Sequence, residues 1–192
     1  KILQLLEEMV AAAKSEKSLQ SGSVRVACIR SAATHILPSA IAQFRRRNPG
    51  IAIDILEHFD HLDVEKALRE GQADVGFTHL PTSAEFESWE ILRDDYILLL
   101  PPTSDVKSPR ISWQELATYP LIVSSLNPCN AWIRKCLPLA EYPLSIAYEI
   151  REDSTIVSMV QQGLGAGILP RLAAAPIPPG VQLRHLPVPL IR

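Results

Sequence analysis

Val24-Arg25-Val26-Ala27-Cys28-Ile29, followed at once by Arg30-Ser31-Ala32-Ala33-Thr34, reads as a strand that ends in a loop of small and polar residues. The strand is β-branched and apolar enough for burial on both faces, as in parallel sheets. Beyond it, Leu37, Ile41 and Phe44 recur at helical spacing, and the helix ends in Arg45-Arg46-Arg47 before Asn48-Pro49-Gly50. Cations in a last helical turn suit the negative end of the dipole, so the arginine run reads as a helix terminus rather than a nucleic-acid patch. Ile51–Leu56 reads as a second strand, Val64–Arg69 as a helix closed by Gly71, and Ala73–Phe77 as a third strand. Strands separated by helices imply right-handed βαβ units and a parallel sheet covered on both faces.

A second run of the same kind follows an extended segment over Ile91–Leu100. Ser112-Trp113-Gln114-Glu115 has the spacing of a capping box, so a helix starts at Trp113. Strands are expected over Leu121–Ser124, Leu144–Ile150, Ala166–Leu169 and Val181–Leu186. Helices are expected over Ala131–Leu137 and from a cap at Asp153 or Ser154 to Gln162. Two small α/β lobes account for the two runs better than one sheet does. Before Ser21-Gly22-Ser23, the residues Ile2, Leu5, Leu6, Met9, Val10 and Ala13 form one apolar helical stripe. A short amphipathic helix followed by a break has no core of its own, which favours a linker helix that packs on a partner.

The composition is that of a globular chain: 192 residues, 47% hydrophobic and 21% charged. With 19 Lys and Arg against 21 Asp and Glu, no broad basic face is expected, so direct nucleic-acid binding by this stretch is not. The apolar runs are far shorter than the ~20 residues that a membrane helix needs. Three cysteines, Cys28, Cys129 and Cys136, without a Cys-x-x-Cys, suggest neither a disulfide framework nor a zinc knuckle, and fit a reducing cytoplasmic setting.

Several motifs reduce to ordinary structure. Gly163-Leu164-Gly165-Ala166-Gly167 lies between a helix and a strand, the reverse of a dinucleotide fingerprint, and reads as a helix end and a tight turn. His58-Phe59-Asp60-His61-Leu62-Asp63 contains metal-ligand residue types, but Asp60 or Asp63 as a helix cap is the simpler reading, and no metal is expected. No Gly-x-Ser-x-Gly elbow or arranged nucleophile and base is present, so no catalytic set and no cofactor are expected.

Open parallel sheets bind ligands beyond the carboxyl ends of their strands. Two polar loops sit at such ends. Arg30-Ser31-Ala32-Ala33-Thr34 could present backbone N–H groups, the Ser31 and Thr34 hydroxyls and a bidentate Arg30 to an anion. Plain N-capping by Ser31 or Thr34, with Arg30 in solvent, explains the same residues equally well. Ser124-Ser125-Leu126-Asn127-Pro128 is the corresponding loop of the second lobe. One such loop per lobe suggests a cleft for a small polar molecule.

The order of these motifs resembles the linker helix and effector-binding domain of LysR-type transcriptional regulators. The stretches that carry the resemblance include Phe44-Arg45-Arg46-Arg47-Asn48-Pro49-Gly50, Leu68-Arg69-Glu70-Gly71-Gln72-Ala73-Asp74-Val75 and Ile111-Ser112-Trp113-Gln114-Glu115-Leu116. Tyr119-Pro120-Leu121-Ile122 and Gly163-Leu164-Gly165-Ala166-Gly167-Ile168-Leu169-Pro170 complete it. It covers nearly the whole chain. The resemblance implies two Rossmann-like lobes of the periplasmic-binding-protein type 2 architecture: a linker over 1–21, lobe I over 22–98 plus 168–192, and lobe II over 99–167. It also implies a fragment without the N-terminal DNA-binding part, ending short of the family's final helix, and assembly as homodimers or homotetramers. Carried over position by position, effector contacts fall on Ser31, Asp60, Thr78, His79, Ser124, Ser125, Asn127 and Arg151. Small polar residues are frequent in the family at the positions of Asp60 and Arg151. Opposite charges there would pair across the cleft or select a zwitterion. A solute-binding protein of a transport system and an enzyme on the same fold are the alternatives. The amphipathic stripe disfavours the first, and the want of a nucleophile and base disfavours the second.

Overall fold

The computed structural model describes residues 22–125, 137–138 and 141–192. The linker helix expected over 1–21, Asn127, Cys129, Cys136 and nearly all of the helix expected over 131–137 lie outside these residues. The chain divides into two compact units, one ending at Leu92 and the other running from Arg93 to Arg192.

In the first unit the elements are β1 (Gly22–Ile29), α1 (Arg30–His35), α2 (Leu37–Arg47), β2 (Ile51–His58), α3 (His61–Arg69) and β3 (Val75–Phe77). The strands form an all-parallel sheet in the order β2-β1-β3. Its last four β1 residues are buried, as the apolar run requires. The helices cover opposite faces. Phe44 of α2 is fully buried against Ile51, Ile53 and Val75, whereas a Cβ at Gly76 would meet Leu68 and Val64 of α3. Residues one step apart along β3 thus meet different helices, the period-two rule of a strand.

One element differs from expectation. Arg30–His35 is a short helix joined almost directly to α2 rather than a loop. Ser31, Ala32 and Ala33 tolerate helical backbone well, and Pro38 at the start of α2 forces a new helix to begin there.

The second unit contains β4 (Tyr96–Leu100), α4 (Trp113–Leu116), β5 (Pro120–Ser124), β6 (Ser145–Ile150), α5 (Asp153–Gln161), β7 (Ala166–Pro170) and β8 (Gln182–His185). Its sheet has the order β6-β5-β7-β4-β8. β5 pairs in parallel with β6 and β7, but β4 runs antiparallel to both β7 and β8, so this sheet is mixed rather than parallel. Alternation along β4 builds two cores. Leu98 and Leu100 join Leu116 and Leu121 on one side, and Ile97 and Leu99 join Ile156 and Val160 on the other. The resemblance places 168–192 with the first lobe. Here the backbone groups of β7 and β8 pair with β4 and β5, which sets these strands in the second unit.

The capping box forms as expected. Glu115 N–H donates to Ser112 Oγ at 3.2 Å, and Ser112 N–H donates to the Glu115 carboxylate at 2.9 Å. The glycine-rich turn is also structural. Gly163 ends α5 with φ +80°, and a Cβ at Gly165 would lie 2.2 Å from the Pro120 carbonyl oxygen. None of the described helices is long and apolar enough to cross a membrane.

Candidate functional site

The carboxyl ends of β1, β2 and β3 bring together most of the first-unit residues singled out from sequence. The register aligns Ile29 with His58 and Cys28 with Phe77, so Ile29 and His58 lie level at the ends of β1 and β2, and Thr78 is the residue that follows β3. Each is followed by the polar segment that leaves its strand.

After β1, the N-cap of α1 is Ile29, with no side-chain cap, so neither Ser31 nor Thr34 serves as N-cap. Ser31 is buried within the first turn, and Thr34 is exposed. Arg30 is not simply solvated. Its Nε donates to Glu57 Oε1 at 3.1 Å, and its guanidinium carbon stands 4.3 Å from the centre of the Phe59 ring. Parallel register makes this possible, because Glu57 and His58 lie beside Cys28 and Ile29. Glu57 escapes a reading that ends the second strand at Leu56; one more turn of alternation would have included it.

After β2, Asp60 caps α3, its Oδ1 accepting from Leu62 N–H at 3.0 Å. The same oxygen lies 2.9 Å from His61 Nδ1. The His61 ring in turn lies 5.7 Å from that of His79, tilted by 36°. Asp60 is therefore the helix cap that its residue type suggests. Among the described residues, no group of three or more His, Cys, Asp or Glu side chains is placed to hold a metal ion.

After β3, the loop carrying Thr78 and His79 is fastened to α3. The buried Glu65 accepts from the Ser83 N–H at 3.2 Å and from the Ser83 hydroxyl. Arg69 Nε donates to Glu85 at 2.9 Å, and its guanidinium stands 5.7 Å from the Phe86 ring centre. Glu65 and Ser83 carry no sequence signal beyond a polar residue on an amphipathic helix. Among the described residues, two buried side-chain polar atoms lack a hydrogen-bond partner: His58 Nε2 and Thr78 Oγ1. Both belong to this edge.

In the second unit, Ser124 closes β5, and Ser125 N–H donates to Ile150 O at 2.9 Å, which extends the pairing with β6. Both serines are half-buried. Arg151 follows β6 and is exposed. Glu152 occupies the N-cap of α5 without a side-chain cap, so the cap falls one residue before Asp153 and two before Ser154, the expected positions.

The model of the LysR substrate binding domain matches residues 17–192. The chain is 50% identical over 192 residues to the probable HTH-type transcriptional regulator LrrA of Synechococcus elongatus, covering all of this chain and 65% of LrrA. It thus spans slightly less than two thirds of that relative. A putative LysR family regulator from Pseudomonas aeruginosa, the PA01 protein, superposes with a TM-score of 0.78 at 21% identity, covering 98% of this chain and 68% of that one. The effector-binding domain of QuiR, solved in complex with shikimate, superposes with a TM-score of 0.74 at 15% identity, covering 90% and 84%. At such identities the likeness speaks for the fold. The family model matches most of the sequence, and the chain belongs to the LysR substrate-binding domain family.

Proposed function

We propose that this chain is the effector-sensing part of a transcriptional regulator and that it takes up a small anionic or zwitterionic metabolite. The observation that carries this reading is the clustering of polar side chains at the carboxyl edge of an all-parallel sheet in a member of this family. That edge is where open α/β sheets take their ligands. Ser31, Asp60, Thr78 and His79 are the contacts proposed in the first unit, with Ser124, Ser125, Asn127 and Arg151 in the second. Arg30 acts here through its grip on Glu57 and Phe59. The shikimate complex of QuiR is in keeping with a small hydroxylated acid as effector. LrrA and other relatives named as regulators favour this reading over a transport protein.

The whole protein would work in the cytoplasm as a homodimer or homotetramer, with DNA held by a part of it other than this one. To act as a switch, the effector must favour one arrangement of that assembly, with couplings typically of about 1–3 kcal/mol. A thermal-shift screen against carboxylates, amino acids, sugar phosphates and inorganic anions tests the reading. At 100 times its dissociation constant a true effector adds about 2.7 kcal/mol. Its shift is expected to vanish in Ser31→Ala and in Ser125→Ala. A folded protein that answers to none of these classes would count against it.

A further inference from the structure

We infer that His58 and Thr78 read a hydroxyl group on the effector, which makes it a hydroxycarboxylic acid rather than a plain one. The inference rests on the effector-binding reading above and narrows its substrate class. Buried polar atoms in folded proteins almost always have hydrogen-bond partners, and an exception calls for a reason. His58 Nε2 and Thr78 Oγ1 are such exceptions among the described residues. They are not scattered: His58 ends β2, level with Ile29, and Thr78 directly follows β3, whose last residue lies beside Cys28. The alternation of side chains puts His58, aligned with Ile29, on the same face of the sheet as Ala27 and Gly76, the face covered by α3.

With β1 between them, the two strands lie about 10 Å apart, so one small molecule that meets both side chains must carry more than one polar group. The chemistry of the pair narrows these groups. An imidazole nitrogen gives or takes one hydrogen bond according to its tautomer, and a threonine hydroxyl does both. Neither is a fixed cation. The guanidinium nearest the end of β2, that of Arg30, already faces Glu57 and Phe59. The carboxylate next along, Asp60, faces His61 and the first turn of α3. A second anionic group brought against Glu57 and Asp60 would be repelled. A hydroxyl satisfies either tautomer of His58, and also Thr78, without adding charge.

Isothermal titration of the chain with matched acids tests this: malate against succinate, glycerate against propanoate, and quinate against cyclohexanecarboxylate. At least one hydroxy acid is expected to bind at least ~10-fold more tightly than its deoxy partner, since sites built to bond a hydroxyl reject analogues that lack it. Thr78→Val and His58→Leu are each expected to reduce that preference, with a larger loss of affinity for the hydroxy acid than for its deoxy partner. Thr78→Val should melt no lower than the parent, because it removes a hydroxyl that has no partner to lose. Equal binding of each pair, or an undiminished preference in both variants, would overturn this inference and leave the proposed function standing. Failure of every acid to bind, with a hit elsewhere in the wider panel above, would overturn this inference alone; no hit in that panel either would overturn both.

Discussion

Arg25 and Asp74 lock the start of β3 onto β1 through backbone and side chain together. Arg25 N–H donates to Asp74 Oδ2 at 2.8 Å, and Asp74 N–H returns a bond to Arg25 O at 2.8 Å. The guanidinium grips both carboxylate oxygens, at 3.2 and 2.7 Å, and reaches the Gly71 carbonyl at 2.6 Å. The hydrogen bonds from the guanidinium, ahead of the backbone bond, hold the Asp74 carboxyl below its ordinary range. A depressed folded-state pKa contributes stability that is present above the ordinary value of 3.8 and lost as the pH falls through the folded value. Asp74→Asn should therefore lower the urea midpoint at neutral pH. The deficit should be modest, because both side chains are more than one third exposed. It should shrink as the pH drops below about 4. Paired urea titrations at pH 7 and pH 3 check this, and a constant deficit would contradict it.

Cys28 gives a prediction at the alkaline end. Burial first, and then the nearby Glu57 charge, push its thiol up from 9.0 to about 11. A raised folded-state pKa contributes stability that is complete below the ordinary value and lost as the pH rises through the folded one. The first unit should thus weaken between about pH 9 and pH 11, with Cys28→Ala lacking that component. At neutral pH Cys28 should resist alkylation in the folded protein and react once unfolded. Mass-spectrometric mapping of iodoacetamide labelling reads this out, and rapid native labelling of Cys28 would contradict the burial.

Asp60 has two roles to separate. Asp60→Ala removes the α3 cap and should cost about 1 kcal/mol, whereas Asp60→Ser, which can cap, should cost much less. Urea denaturation measures the pair of variants. If both lose effector binding while only the alanine variant loses stability, Asp60 contacts the effector as well as capping the helix.

Much of this architecture is legible in the sequence because it depends on local periodicity. The capping box at Ser112 and Glu115, the arginine-terminated α2 and the turn at Gly163 need only neighbours a few residues away. The reversed order of helix and strand around Gly163–Gly167 suffices to discard a nucleotide loop. The antiparallel placing of β4 is different. Tyr96–Leu100 is apolar throughout, and such a run looks the same whether its partners run with it or against it. The site shows the same divide. Asp60 announces a cap by its position before α3, but the pairing of Arg30 with Glu57 joins residues 27 apart through sheet register. The missing partners of His58 and Thr78 emerge only once every neighbouring donor and acceptor has been placed.

The most direct test of the proposed metabolite sensing uses the whole protein as the cell makes it and the compound that gives the largest thermal shift. Its affinity for its own promoter DNA would be measured by fluorescence anisotropy, at fixed salt, with and without that compound at saturation. A sensor predicts a change of roughly 5- to 150-fold in either direction, abolished by Ser31→Ala. Equal affinity with and without a saturating compound would contradict the account, since a molecule that binds both states equally shifts neither.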